Sequence, residues 1–150
     1  MKRLHIHISV DDIEANIRFY AALFEAAPSV VKPDYAKWML DDPIVNFAIS
    51  SRGAKPGLDH LGIQVESESD LSDINRRLSS AALPVIEQKG SACCYAESDK
   101  YWTQDPQGIP WEAFHSLASV PVFGAKPELK EKVDTSSTSC CTPSFKETIG

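Results

Sequence analysis

The feature that most constrains the fold of this chain is a sequence repeat about 55 residues long. Residues 5–10 are His-Ile-His-Ile-Ser-Val, and residues 60–65 are His-Leu-Gly-Ile-Gln-Val. Both segments begin with histidine, contain alternating apolar residues and end with valine. Similar patterns follow each segment, so we expect two modules of similar structure, at about residues 3–53 and 57–116.

The first half begins with the pattern of a strand and continues with that of a helix. Apolar residues alternate over residues 4–10, and Asp11-x-x-Glu14 then resembles a capping box that starts an amphipathic helix. Two further strands are predicted at residues 35–40 and 45–49, separated by a turn at residues 41–43.

The second half has the same order of patterns. Residues 58–65 predict a strand, and Ser67-x-x-Asp70 predicts the start of the next helix. Further short strands are predicted at residues 85–87, 94–96, 101–103 and 111–114. The chain is therefore predicted to be an α+β protein of two β-α-β-β-β modules.

The composition changes near the C-terminal end. From Val120 onward, Pro, Lys, Glu, Ser and Thr predominate and large apolar residues are few. Such a segment cannot bury enough apolar surface to order itself. We therefore expect one folded domain over residues 1–117 and a flexible tail over residues 118–150, which carries Cys140 and Cys141.

Charge and hydropathy exclude several classes of function. The net charge is -6 and the basic residues are scattered, whereas nucleic-acid-binding proteins concentrate Lys and Arg on one face. The sequence contains no apolar run of about 18 residues, and its first residues lack the apolar stretch of a signal peptide. We expect a cytoplasmic protein that binds neither nucleic acid nor membranes.

Two histidines and one glutamate are candidate metal ligands. His5 and His60 occupy equivalent positions of the repeat, so the pseudo-twofold relation would bring them together. Glu112 lies in the apolar segment Pro-Trp-Glu-Ala-Phe, where an unpaired charge would be costly. Two imidazoles and one carboxylate suit ferrous iron. The alternatives are histidines with ordinary hydrogen bonds, and a site in which His7, on the same strand face, replaces His5.

The four cysteines form two adjacent pairs rather than a disulfide framework. Cys93 and Cys94 lie between predicted strands, and the nearby Gly90 and Ser91 indicate a loop in which both sulfurs could face one ligand. Thiolates prefer soft metals and metalloids. The alternative is a pair of small apolar residues packed at a strand edge.

Four blocks of sequence together are distinctive. They are His5-x-His7-x-x-Val10-x-Asp12 with Phe19-Tyr20, then Leu58-Asp59-His60-Leu61-Gly62, then Ala92-Cys93-Cys94-Tyr95-Ala96 with Asp99-Lys100-x-Trp102, and finally Asp105-Pro106-x-Gly108-x-Pro110-Trp111-Glu112. Over residues 3–115 the chain thereby resembles the glyoxalase, bleomycin-resistance and extradiol dioxygenase superfamily, which has the vicinal oxygen chelate fold. Within it, the resemblance is to carbon-arsenic lyases and cadmium-induced proteins.

The resemblance implies a site and an activity. His5, His60 and Glu112 match the family's Fe²⁺ ligands, although the first ligand of the family can be Gln, and other divalent metals could replace iron in vitro. Cys93 and Cys94 match the dithiol that captures trivalent arsenicals. No catalytic residue beyond the metal ligands is implied.

The implied reaction is the O₂-dependent cleavage of methylarsenite or aromatic arsenicals to arsenite by a monomer or homodimer, as a means of arsenic resistance. Cys140 and Cys141 lie outside the resembling region and either deliver arsenic or are inert. Two alternatives remain, namely a cadmium- or drug-binding protein without activity and an extradiol or glyoxalase-type metalloenzyme.

Overall fold

The computed structural model describes residues 1–93, 95–119, 142–143 and 145. These residues form two β-α-β-β-β modules, which confirms the predicted α+β class. In the first module the elements are β1 (Arg3–Ser9), α1 (Ile13–Phe24), β2 (Val30–Lys32), β3 (Tyr35–Asp41) and β4 (Ile44–Ser50). In the second they are β5 (Gly57–Val65), α2 (Glu68–Ser80), β6 (Ile86–Cys93), β7 (Ala96–Gln104) and β8 (Pro110–Ser119).

The eight strands of the described residues form one mixed sheet in the order β2-β3-β4-β1-β5-β8-β7-β6. The first strands of the two modules, β1 and β5, pair antiparallel at its centre. In that ladder His5 lies opposite Gly62, and His7 lies opposite His60. The two copies of the repeat therefore lie side by side, related by the pseudo-twofold relation that the sequence predicted.

The start of each helix is set by a side chain that accepts a backbone hydrogen bond. Ser67 caps α2 through the amide of Asp70, as predicted. The prediction of a capping box at Asp11 was wrong by one residue. Asp12 is the cap, because its extended backbone lets Oδ1 accept from the amide of Ala15 at 2.9 Å.

The helices cover one face of the sheet, and this leaves the other face to polar residues. Along β4, Val45, Phe47 and Ile49 belong to the core packed against α1, as does Trp38 of β3. Because successive strand residues point to opposite faces, the residues between them face away from that core. The buried polar side chains of the central strands lie on this second face, and they include His5, His7, Asn46, His60, Lys100 and Glu112.

The strands around the first cysteine pair differ from the prediction. We expected short strands at residues 85–87, 94–96 and 101–103, but β6 and β7 form one hairpin in which Cys93 pairs with Ala96. Polar residues on both faces and a register shift between Gln88 and Ser91 hide the alternation of this hairpin in the sequence.

At the C-terminal end, β8 continues to Ser119. The tail predicted over residues 118–150 lies largely outside the described residues and stays a prediction. Neither helix of the described residues has the length and apolar character needed to cross a bilayer.

Candidate metal centre

Three buried side chains from three strands converge at the centre of the sheet. The Nε2 atoms of His5 and His60 are 3.2 Å apart, and each lies 3.3 Å from Oε1 of Glu112. The three residues are 5%, 2% and 6% exposed. Their donor atoms therefore form a nearly equilateral triangle that is shielded from bulk water.

The spacing of these atoms suits a divalent metal. Ligands about 2.1 Å from a tetrahedral or octahedral ion are about 3.0 to 3.4 Å from one another. The outer nitrogens of both histidines are held by acceptors, since His5 Nδ1 donates to the carbonyl of Asn46 at 3.0 Å and His60 Nδ1 to Oδ1 of Asp59 at 2.6 Å. This arrangement directs both Nε2 lone pairs inward, as in metal-binding histidines.

Gly62 allows the carboxylate to approach the histidines. It pairs with His5 on one side and with Glu112 on the other. A Cβ atom built at Gly62 would lie 2.6 Å from the carbonyl oxygen of Glu112, 2.8 Å from its Cγ and 3.4 Å from Cβ of His5. Only glycine leaves room for this approach, which explains why Gly62 stands where the first copy of the repeat has His7.

The second oxygen of Glu112 pairs with a lysine. Lys100 Nζ lies 3.2 Å from Oε2, and Lys100 is 5% exposed. Burial alone would raise the pKa of Glu112, but the charges of Lys100 and His60 hold that pKa well below its usual range. The carboxylate is therefore ionised and able to act as a ligand.

The two histidines differ in their affinity for protons. Burial lowers the pKa of His5 to about 4, although the charge of Glu112 opposes this effect. Burial also disfavours charged His60, but Glu112 and the hydrogen bond to Asp59 outweigh it and raise the pKa of His60 to about 9. Without metal, the proton between the two rings therefore resides on His60.

His7 is the alternative ligand. It is 4% exposed, and its ring centroid lies 4.8 Å from that of His60. Ligand atoms of His5, His7 and His60 lie within 4.8 Å of one another, so three imidazoles could also share an ion. However, His7 Nε2 lies 2.8 Å from Oγ of Ser50, and its buried Nδ1 has no hydrogen-bond partner among the described residues.

A cavity of about 40 Å³ opens beside the triangle of donor atoms. This is room for a few water-sized molecules. Its walls come from both modules, with Tyr35 and Lys37 from β3 and Ala96 and Ser98 from β7. A small reactant bound here would contact the centre and both modules.

A sequence model of the glyoxalase/bleomycin resistance protein/dioxygenase superfamily matches residues 2–113, which include all three converging side chains. The chain belongs to this superfamily. Two relatives that match this chain along nearly their whole length differ in the kind of name they have. A trivalent organoarsenical cleaving enzyme from Bacillus sp. (strain MD1) is 36% identical over 95% of this chain and 92% of its own. The cadmium-induced protein CadI of Mycobacterium tuberculosis (strain H37Rv) is 35% identical over 94% of this chain and 93% of its own.

Solved structures agree with the superfamily fold. The Mn(II)-bound glyoxalase from Novosphingobium aromaticivorans has a TM-score of 0.58 and 18% identity, covering 87% of this chain and 44% of its own. At this identity, the likeness concerns the fold alone.

Only Cys93 of the first cysteine pair belongs to the described residues, and its strand ends near the cavity. Cys93 is the last residue of β6, and it pairs with Ala96, which lines the cavity. Cys94, Cys140 and Cys141 lie outside the described residues, so the roles predicted for both pairs stay predictions. Thr142 follows the second pair, and its hydroxyl Oγ1 donates to Oδ1 of Asp59 at 3.3 Å.

The sequence analysis assigned no role to three residues that shape the candidate metal centre. Asp59 holds His60, Lys100 pairs with Glu112, and Gly62 admits the carboxylate. All three stand in the conspicuous sequence blocks. A charged residue beside His60 and a glycine two positions after it were the signals that could have identified Asp59 and Gly62. Lys100 is 12 residues from Glu112 and gives no such signal in the sequence.

Proposed function

We propose that this protein is a ferrous, O₂-dependent lyase that cleaves the carbon-arsenic bond of trivalent organoarsenicals and thereby confers arsenic resistance. The observation that carries the proposal is the convergence of His5, His60 and Glu112 beside a cavity that adjoins the Cys93 end of β6. The organoarsenical cleaving enzyme named above supports this substrate class.

The proposed metal ligands are the Nε2 atoms of His5 and His60 and Oε1 of Glu112. His5 is preferred to His7 because its Nε2 faces the other two donors, whereas Nε2 of His7 faces Ser50. Lys100 keeps the carboxylate ionised, and Asp59 keeps the lone pair of His60 directed inward. Both residues orient the proposed ligands, and Lys100 also lines the cavity beside them.

The donor set of two imidazoles and one carboxylate is typical of iron sites that leave coordination positions open. Ferrous iron, when bound, would supply the activation of dioxygen. For methylarsenite the overall change is CH₃As(OH)₂ + O₂ → As(OH)₃ + HCHO. The carbon-arsenic bond breaks, the carbon is oxidised to formaldehyde, and dioxygen is reduced as its two oxygen atoms enter arsenite and formaldehyde.

The proposed role of Cys93 and Cys94 is to hold the arsenic atom through two thiolates. An adjacent pair chelates a soft metalloid with little ordering cost when the loop is already set. The thiolate is the reactive form, and a free cysteine has a pKa of about 8.5. Capture of the arsenical should therefore strengthen as the pH rises toward that value.

The decisive experiment is aerobic incubation of the ferrous protein with methylarsenite, followed by separation of the arsenic species and assay of formaldehyde. We expect arsenite and formaldehyde in equal amounts from the wild-type protein, and neither from metal-free protein or from Glu112→Gln. Arsenite no greater than in the metal-free control would contradict the lyase proposal. Cys93→Ser and Cys94→Ser should lose turnover while retaining iron.

A second candidate is a cadmium-binding protein without catalytic activity, which the relative named CadI favours. This protein would bind cadmium through the cysteine pair and consume no oxygen when an arsenical is added. Oxygen uptake on addition of methylarsenite therefore distinguishes the two functions. An extradiol or glyoxalase-type activity would give the cysteines no role, and turnover of catechols or of a glutathione hemithioacetal would reveal it.

A further inference from the structure

The turn between β6 and β7 is fastened to the opposite module by one tyrosine. Tyr95 follows Cys94 in this turn, and its hydroxyl donates to Oδ1 of Asp34 at 2.5 Å. Asp34 lies between β2 and β3 of the first module, 61 residues away along the chain. Tyr95, the residue before β7, is therefore linked to the first module.

Asp34 is itself fixed by a cation. Arg52 Nε donates to its other oxygen, Oδ2, at 2.9 Å, and the Arg52 side chain is 10% exposed. The guanidinium carbon of Arg52 lies 5.3 Å from the ring centre of Tyr35 and 5.7 Å from that of Tyr95. Both carboxylate oxygens of Asp34 thus have partners, and Arg52 contacts the ring of Tyr95 as well.

Tyr95 has a backbone conformation that is unfavourable for a bulky side chain. Its φ is 61°, in the left-handed region where glycine or asparagine is favoured and a bulky residue costs roughly 1–2 kcal/mol. Lys32 adds a second cation, with Nζ 5.3 Å from the centre of the Tyr95 ring. The interactions made by the ring and hydroxyl offset a conformation that tyrosine otherwise avoids.

We propose that Tyr95, Asp34 and Arg52 form a positioning latch, which holds the Cys93–Cys94 turn in place relative to the metal centre. The inference rests on the proposed function, because it assigns the latch the task of placing the arsenic-binding thiols. Tyr35 lies beside the latch and Ala96 follows it, and both line the cavity next to the proposed ligands. The latch residues orient the turn and do not contact the reacting atoms.

The test uses full-length protein in which Cys140 and Cys141 are replaced by serine, so that phenylarsine oxide binds at one cysteine pair. Tyr95→Phe keeps the ring and removes the hydroxyl. Loss of this charge-assisted hydrogen bond should weaken binding of phenylarsine oxide about tenfold. It should also raise the KM for methylarsenite by a similar factor, while kcat and iron content stay near wild type.

Tyr101→Phe is the matched control. Tyr101 also donates to a carboxylate, Oε1 of Glu87 at 3.2 Å, but this contact lies within the second module and away from the cysteine turn. The control should leave binding of phenylarsine oxide and the KM unchanged. Hydrogen exchange of the amides in the turn should quicken in Tyr95→Phe and not in Tyr101→Phe.

A double-mutant cycle with Asp34→Asn shows whether the latch acts as a unit. If it does, Tyr95→Phe/Asp34→Asn binds phenylarsine oxide no more weakly than the weaker of the two single variants. Three results would overturn the latch. The first is wild-type affinity for phenylarsine oxide in Tyr95→Phe, and the second is full additivity of the effects of the two substitutions on that affinity. The third is a parent protein that does not bind phenylarsine oxide. Wild-type protein that releases no arsenite from methylarsenite would refute the lyase alone. If the parent protein still binds phenylarsine oxide, weaker binding by Tyr95→Phe would support the latch even then.

Discussion

Lys100 and Glu112 form an ion pair in which both side chains are 6% exposed, with Nζ 3.2 Å from Oε2. This contact leaves Oε1 to face His5 and His60. A buried carboxylate needs compensation for its lost hydration, and in the metal-free protein Lys100 and protonated His60 supply it. The pair therefore keeps an anionic ligand ready at the centre of the sheet.

Replacing Lys100 by methionine removes one of these two compensating charges. We expect Lys100→Met to lower the unfolding free energy of the metal-free protein by about 3 kcal/mol, because it leaves Glu112 underpaired. A bound divalent metal restores the missing charge, so the variant should gain more stability from metal than the wild type does. Denaturant titrations with and without metal measure both effects.

Lys89→Met is the control for this substitution, since Lys89 pairs with Glu87 at 3.3 Å on the surface. An exposed pair contributes little, so this variant should respond to metal as the wild type does. Equal metal-dependent stabilisation of wild type and Lys100→Met would contradict the compensating role of Lys100.

Gly62→Ala should disrupt the centre directly. The added Cβ would lie 2.6 Å from the carbonyl oxygen of Glu112, so the β5–β8 pairing or the Glu112 side chain must shift. We expect loss of metal binding.

Gly53→Ala is the control for this substitution. It places a methyl group where φ is +82° and no atom lies within 4 Å, so it should cost about 1 kcal/mol of stability without changing metal affinity. Metal affinities of the two variants, measured side by side, check the prediction, and normal affinity in Gly62→Ala would contradict it.

Asp59→Asn should weaken metal binding while leaving the three proposed ligands in place. The carboxylate accepts from His60 Nδ1 at 2.6 Å and raises the basicity of the ring. Loss of such a partner commonly reduces metal affinity by about 10- to 100-fold. Asp73→Asn, which changes an exposed residue paired with Arg76, is the control. Competition with a metal-binding dye measures both affinities, and an unchanged value for Asp59→Asn would remove Asp59 from the site.

Without metal, the stability of the protein should be highest near pH 6.5. Folding raises the pKa of His60 from 6.5 to about 9, so its contribution is complete below pH 6.5 and is lost as the pH rises through 9. Folding lowers the pKa of His5 to about 4, so its contribution is lost as the pH falls from 6.5 through 4. Denaturation of chelator-treated protein across this range tests the curve. His60→Asn should lose the alkaline decline, and an equal decline in that variant would count against the assignment.

The parts of the fold that the sequence predicted depend on repetition and local alternation. The two histidines were found because residues 5–10 and 60–65 are copies, and Glu112 because a carboxylate stands alone among apolar residues. The β6–β7 hairpin was missed because the register shift between Gln88 and Ser91 interrupts its alternation. Local patterns carry no information about such a shift.

The contacts that complete the site depend on tertiary register. Lys100 reaches Glu112 only because β7 and β8 pair with Trp102 opposite Glu112. Tyr95 and Asp34 come from different modules and meet only after the whole sheet has formed. The sequence therefore predicted the three side chains that converge, whereas the residues that orient them required the three-dimensional structure.

The central claim is that His5, His60 and Glu112 together bind one divalent metal. Its most direct test is the iron content of protein loaded with ferrous iron under anaerobic conditions and then desalted. We predict about one iron per chain for the wild type and for His7→Asn, and none for His5→Ala, His60→Ala or Glu112→Gln. Iron that stays bound to Glu112→Gln would contradict this claim. So would iron that is lost from His7→Asn but kept by His5→Ala.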